Sequence, residues 1–498
     1  MNLKPVKSLS EAQLKSGLKL VVADGLSAEA MVVFTSGTFL TAMAIHMGAS
    51  NFQLGVLAAL PTFTTIFQLF SIWLVQKFKN RKAITAFCNF MARVPLIAIG
   101  VLPFLFTAET SIEILIVMLF LQHIFGDIAG ASWNAWMKDM IPGSKLGSFF
   151  SHRSRMAQTL NVTLSLATAL GLDYIKKHYP SSEIMIYHLL FLAGGMLGMI
   201  SVILLLRTPE PQASRIDGNM LSLFARPLKN KNFRNLLMFN SFWSFALNLA
   251  TPFFAVFMMK TMRLPVAYII GLGIISQLSS IVSIKIWDRY SDRFSNKNIV
   301  AFCAPLYIAC ILAFAFAATP GNIQTMLALL VAIHVISGLA TAGINLALSN
   351  IGIKLAPNDE AIAYITAKNM FVAMSSTLAP VIGGLMADFF VSHPFDCNLH
   401  LDFIGMPNIH LLTLQGWNYF FIIGGVLALI SLKLLQQVNE KGEIRNRRMV
   451  IYMQTHFRSK LRANLGCNVT ATLYYPKTVI HRIKIRRLKL HQSYRKSA

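Results

Sequence analysis

Five ionisable side chains, Glu29, Arg93, His123, Asp127 and His334, stand inside long apolar runs of this 498-residue chain. A charge held in hydrocarbon is costly, about 2.5–3.5 kcal/mol on insertion scales, so such groups face a wet cavity or one another. Arg93 lies about ten residues into its run and Asp127 about nine from the end of the next, so at 1.5 Å per residue they share a depth and can pair. The pair reads either as an architectural ion pair or as a substrate or proton site. His123 precedes Asp127 by one helical turn on the same face, and an imidazole beside a carboxylate is a plausible proton relay. His334 occupies a comparable depth in a later run; each histidine alone also reads as a hydrogen-bonded core residue. Glu29 sits roughly 9 Å into the first run with no basic partner on its own helix, while Asp24-Gly25 ahead of it reads as a helix N-cap.

A softer set of polar residues, among them Gln68, Trp243, Asn248 and Asn345, lies in runs able to line a central cavity. Indole and amide groups suit a hydroxylated or aromatic solute, although most such residues in membranes are interhelical glue. Arg93 would favour an anionic solute, because a guanidinium binds carboxylate bidentately. No HExxH pattern, metal-ligand spacing or GxxxxGK[ST] loop is present, so neither a metal, a cofactor nor an ATP-driven motor is expected. The five cysteines are scattered and indicate no disulfide framework.

These residues need helices to position them. The chain is 55% hydrophobic and 13% charged, with mean hydropathy +0.56, too few charges to clothe a soluble domain of this size. Apolar runs of about 20 residues recur, the length a helix needs to cross about 30 Å of hydrocarbon. Helices are required because lipid satisfies no backbone group. Spans are expected over 24–47, 52–75, 83–106, 112–136, 155–174 and 184–206, then 235–259, 265–287, 298–318, 323–348, 361–390 and 410–436. The fold class is therefore all-α and polytopic, with 12 transmembrane helices in two pseudo-symmetric six-helix bundles, 24–206 and 235–436. A segment 1–23 precedes them, a polar linker 207–234 joins them, and a basic tail, 437–498, follows. Lys and Arg concentrate in alternate loops, which puts both termini in the cytoplasm. The largest external loop is marked by Asp388, Asp396 and Asp402.

Two loop motifs add a resemblance. Ile286-Trp287-Asp288-Arg289-Tyr290-Ser291-Asp292-Arg293-Phe294-Ser295-Asn296-Lys297 resembles the GxxxDRxGxK loop of the major facilitator superfamily, with Asp292 and Arg293 at its Asp-Arg positions. Gln76-Lys77-Phe78-Lys79-Asn80-Arg81-Lys82 occupies the equivalent place in the first half, with Gln76 where the acid belongs. After the fourth span, Trp133-Asn134-Ala135-Trp136, Asp139-Met140-Ile141-Pro142 and Gly147-Ser148-Phe149-Phe150-Ser151-His152-Arg153 are similar to the WxxW, DxxP and RGxxFxxR run of a bacterial branch of that superfamily. The resemblance implies a carrier of one small solute by alternating access, driven by protons or another ion or by the solute gradient. In such a carrier Lys77, Arg81, Asp288, Asp292 and Arg293 would be gating-loop residues that latch one state. It also implies a bacterial inner, or plasma, membrane.

The net charge of +25 is carried largely beyond Glu440, where basic residues without a span suit contact with anionic lipid headgroups rather than nucleic acid. A secondary transporter coupled to protons and acting as a monomer is the reading; a nutrient sensor on a transporter scaffold, with the tail as its output, is the alternative, and a membrane-embedded enzyme a more distant one.

Overall fold

The computed structural model describes residues 5–6, 10–105, 108–212, 227–293, 295–318, 322–357, 361–393, 397–401, 409–414 and 416–440. The basic tail beyond Glu440, with its expected lipid contacts, lies outside them, as do 213–226 of the linker, Asp396, Asp402, and the side chains of Asp292 and Arg293.

The first pass is α1 (Glu11–Thr35) with α2 (Gly37–His46), broken at Ser36, where Gly37 takes φ +59°, a conformation that suits a residue without Cβ. The second is α3 (Asn51–Phe63), a 3₁₀ turn over Thr64–Phe67, and α4 (Gln68–Phe78). Pro61 in α3 offers no N–H to the helical ladder, and the tightened turn follows three residues later. Then come α5 (Arg81–Leu105), α6 (Ala108–Met140), α7 (Gly143–His178) and α8 (Glu183–Arg207). The second half opens with α9 (Lys231–Ala250) and α10 (Phe253–Lys260), separated at Thr251-Pro252. It continues through α11 (Val266–Arg293), α12 (Asn296–Ala315), α13 (Ile323–Leu355), α14 (Ala361–Ser392) and α15 (Gly416–Gln436). Between α14 and α15, Cys397–Leu401 (β1) and Ile409–Leu414 (β2) pair as a short antiparallel hairpin, a departure from an all-helical chain.

Eleven passes among the described residues are long and apolar enough to cross a membrane; α7, rich in Ser, Thr, Asn and Gln, is the long helix that falls short on apolarity. Two expectations need correction. The helix does not start at Asp24-Gly25, because Ser10 and Gln13 form a capping box that starts α1 at Glu11. Asp24 is consequently mid-helix; it is 4% exposed and accepts a hydrogen bond from Ser201 of α8 at 2.5 Å. Asp388 likewise belongs to α14 rather than to an external loop.

The packing repeats itself. In the first group α1 packs on α8 and α7, and α5 on α6 and α8; in the second α9 packs on α15 and α14, and α12 on α13 and α15. The groups meet where α3 packs on α14 and α7 on α11, again equivalent pairs. Because successive passes alternate in direction, α1 starts and α15 ends on one face, here termed the terminal face. The other is the opposite face.

Candidate functional site

The first residue of the 3₁₀ turn and the first residue of α4 aim polar side chains at α6. Thr64 donates from its hydroxyl to Asp127 at 2.7 Å, and Gln68 from its amide at 3.0 Å, so the carboxylate has two neutral donors and no ion-pair partner within salt-bridge distance among the described residues. His123, one turn earlier on α6, lines a cavity of about 550 Å³ between the two groups. Thr35, Thr41 and Gln122 supply its polar wall, while Phe253 and Val256 reach it from the second group. No carboxylate, ammonium or guanidinium is among its lining residues. Thr377 of α14 donates to Thr62 of α3 at 3.2 Å, a further bond between the groups near mid-membrane.

Glu29 finds its partner on the polar helix α7, where Asn161 donates to it at 2.7 Å. Asn248 donates to Ser376 of α14 at 3.3 Å and to the Ser244 carbonyl of its own helix at 2.9 Å, and Ser244 and Ser376 share a hydrogen bond at 2.6 Å. The remaining sequence candidates sit elsewhere. Trp243 is 3% exposed and stacked beside Phe239 inside the second group, so it offers no indole to a solute. His334 is half-buried with Nδ1 against the Leu330 carbonyl at 2.8 Å, and it lines a separate space of about 240 Å³ with Tyr307 and Phe314. Asn345 is exposed.

Arg93 and Asp127 do not pair. Equal depth left the direction around each helix open, and Arg93 turns to the face of α5 that packs on α8, where Gly198 leaves room for its stem. There it is 7% exposed, donates to Asn89 at 3.0 Å, and feels the buried carboxylate of Asp24 as its opposite charge. Its removal from the cavity takes away the ground for an anionic solute.

The loop between α4 and α5 is built around Arg81. Its guanidinium, 3% exposed, reaches Glu210 at 3.1 Å, Asp139, and the carbonyls of Ala135 and Pro211 at 3.0 and 2.8 Å. Glu210 also accepts from the backbone N–H of Arg81 at 2.9 Å and of Lys82 at 3.1 Å, capping α5. The acid missing at Gln76 is thus supplied from beyond α8. The second half repeats the device beyond α15: Glu440 accepts from the Lys297 backbone at 2.9 Å, Asn296 at 2.8 Å and Ser295 at 2.7 Å, capping α12, with Lys354 at 3.3 Å. Burial works to raise the Glu440 carboxyl, but the Lys297 N–H and the Asn296 and Ser295 donors outweigh it and hold it below its ordinary value. Sequence reasoning missed both glutamates, although each closely follows the last helix of its half. The bonds named here join residues of one helix group, while the side chains of Asp292 and Arg293, the Asp-Arg pair of the second loop, lie outside the described residues. Of the other loop candidates, Asp288 is exposed, and Lys77 is exposed with its ammonium 4.8 Å from the Trp73 ring.

The family model described as Major Facilitator Superfamily matches residues 25–351 and 286–451. Among solved structures, the nucleoside transporter NupG superposes with TM-score 0.62 at 16% identity, covering 86% of this chain and 100% of its own. A D-xylose-proton symporter gives 0.61 at 14% identity, covering 86% and 99%. A bacterial homologue of the iron transporter ferroportin, in its inward-facing state, gives 0.58 at 12% identity, covering 87% and 100%. Identities this low establish a shared fold and nothing about the solute. No curated protein sequence matches the chain.

Proposed function

Since the chain belongs to the major facilitator superfamily and is a multi-pass membrane transporter rather than an enzyme, we propose that it carries a small organic solute by alternating access and couples the movement to protons. The observation that bears most weight is the cavity between the two six-helix groups, with His123 in its wall and Asp127 one turn away. A carboxylate that ionises beside neutral donors, and loses its charge on binding a proton, changes the cost of exposing that wall to either side. The D-xylose-proton symporter, which shares the fold, is by its name a carrier of this kind. Hydroxyl and amide groups on an otherwise apolar lining favour an uncharged solute with hydroxyl groups.

By the excess of Lys and Arg in the loops of the terminal face, that face is cytoplasmic, and the contacts between α3 and α14 near Asn51 and Asp388 close the external side. Purified protein in vesicles with an internal pH dye, challenged with sugars, nucleosides, amino acids and organic acids, tests the reading. One neutral hydroxylated compound should acidify or alkalinise the lumen, and Asp127→Asn should abolish the proton signal. Proton flux undiminished in Asp127→Asn would remove that residue from the coupling.

A further inference from the structure

Two aspartates at the opposite face occupy equivalent places and make equivalent bonds. Asp173, near the end of α7, accepts from the backbone N–H groups of Val266 at 3.0 Å and Ala267 at 2.7 Å, the first residues of α11. Asp388, near the end of α14, accepts from Asn51 at 3.1 Å and Phe52 at 2.8 Å, the first residues of α3. In the packing repeat α7 corresponds to α14 and α11 to α3. Each carboxylate therefore caps a helix belonging to the other group.

The first N–H groups of a helix have no partner within it and carry the positive end of its dipole, so an anion there is held by both bonds and field. Local capping does not make these bonds redundant. Ser50 takes the N–H of Gln53 and leaves those of Asn51 and Phe52 to Asp388. Pro265, before α11, has no side-chain acceptor to offer. Around Asp388 the groups also touch through Lys260 of α10, whose ammonium reaches the Ala49 carbonyl and Asn51 side chain, each at 3.2 Å. Backbones meet as well: a Cβ on Gly384 would stand 2.5 Å from the Asn51 carbonyl, and one on Gly55 would collide with the Pro380 carbonyl. None of these bonds survives separation of the groups at this face.

We propose that Asp173 and Asp388 are a matched pair of gating residues whose cross-group helix caps hold the opposite face shut, so that both caps must break before that face opens. The proposal rests on the alternating-access reading. To test it, spin labels at Tyr179→Cys and Thr261→Cys report the opposite face, and labels at Lys138→Cys and Arg289→Cys the terminal face, in the full chain without its native cysteines. Asp173→Ala and Asp388→Ala should each raise the ratio of open to closed opposite face about five- to tenfold, as loss of a cap predicts. The double variant should show roughly the product, because the two caps join different helix pairs and share no partner. The Asn variants, which keep one acceptor, should fall between, and the terminal-face distance should shorten as the other lengthens. Unchanged ratios with a lowered melting temperature would overturn the proposal, since the aspartates would then cap in every state. Distances that respond to solute in the unsubstituted protein yet identically in the variants overturn the latch alone; distances fixed at both faces throughout overturn the latch and the carrier reading together.

Discussion

At the terminal face, carboxylates bind inside their own helix group: Glu210 to Arg81 and the start of α5, Glu440 to Asn296, Lys297 and the start of α12. At the opposite face, Asp173 and Asp388 make the same kind of cap on a helix of the other group. The chemistry is alike and the connectivity differs. A bond within one group persists whichever way the groups tilt, so it adds to stability and cancels from the conformational equilibrium. A bond between groups counts in one state only, so it sets populations. The same capping carboxylate is thus a fastener at one face and a latch at the other.

Arg81→Ala should produce the largest loss of stability. It takes from Glu210 its hydrogen-bonded counter-charge and leaves the buried Lys82 as the remaining cation, and the loss should be about 3 kcal/mol by thermal or denaturant unfolding, with the open-to-closed ratio unchanged. A change in that ratio would show that the first loop reaches across the groups. Glu440→Gln should cost less, about 1.5–3 kcal/mol, because it removes charge from an acceptor while keeping its shape. Its pH dependence has a defined sign. The folded carboxyl is held below its ordinary value, so its contribution is complete above about pH 4.3, the unfolded value, and is lost as pH falls through the lower folded value. The melting difference between the unsubstituted protein and Glu440→Gln should therefore be constant near neutrality and narrow in acid; a gap that widens in acid would reverse the assignment. Lys77→Ala should change stability by no more than about 0.5 kcal/mol, since its ammonium is exposed and only rests over Trp73.

Apolar runs made most passes legible, and the alternation of basic loops with them. What escaped was whatever depends on partners remote in sequence. Asp24 lies 177 positions from Ser201, Arg81 129 from Glu210, and Asn51 337 from Asp388, and no local pattern announces such pairs. Depth along a helix could be read for Arg93 and Asp127, but direction around it is set by packing, here by Gly198. Asp24-Gly25 looked like a helix start because the capping box at Ser10 lay before the apolar run that defined the span. Glu210 and Glu440 were within reach: aligning the two halves on their last helices would have brought them together.

Counterflow distinguishes a binding site exposed alternately to the two sides from one open to a single side. Vesicles holding this protein, preloaded with the unlabelled solute that moves protons, are diluted into a trace of the same solute carrying a label. An alternating-access carrier accumulates label transiently above equilibrium, faster with preloading than without. Specific binding with no accelerated exchange would contradict the account and favour a sensor on a transporter scaffold.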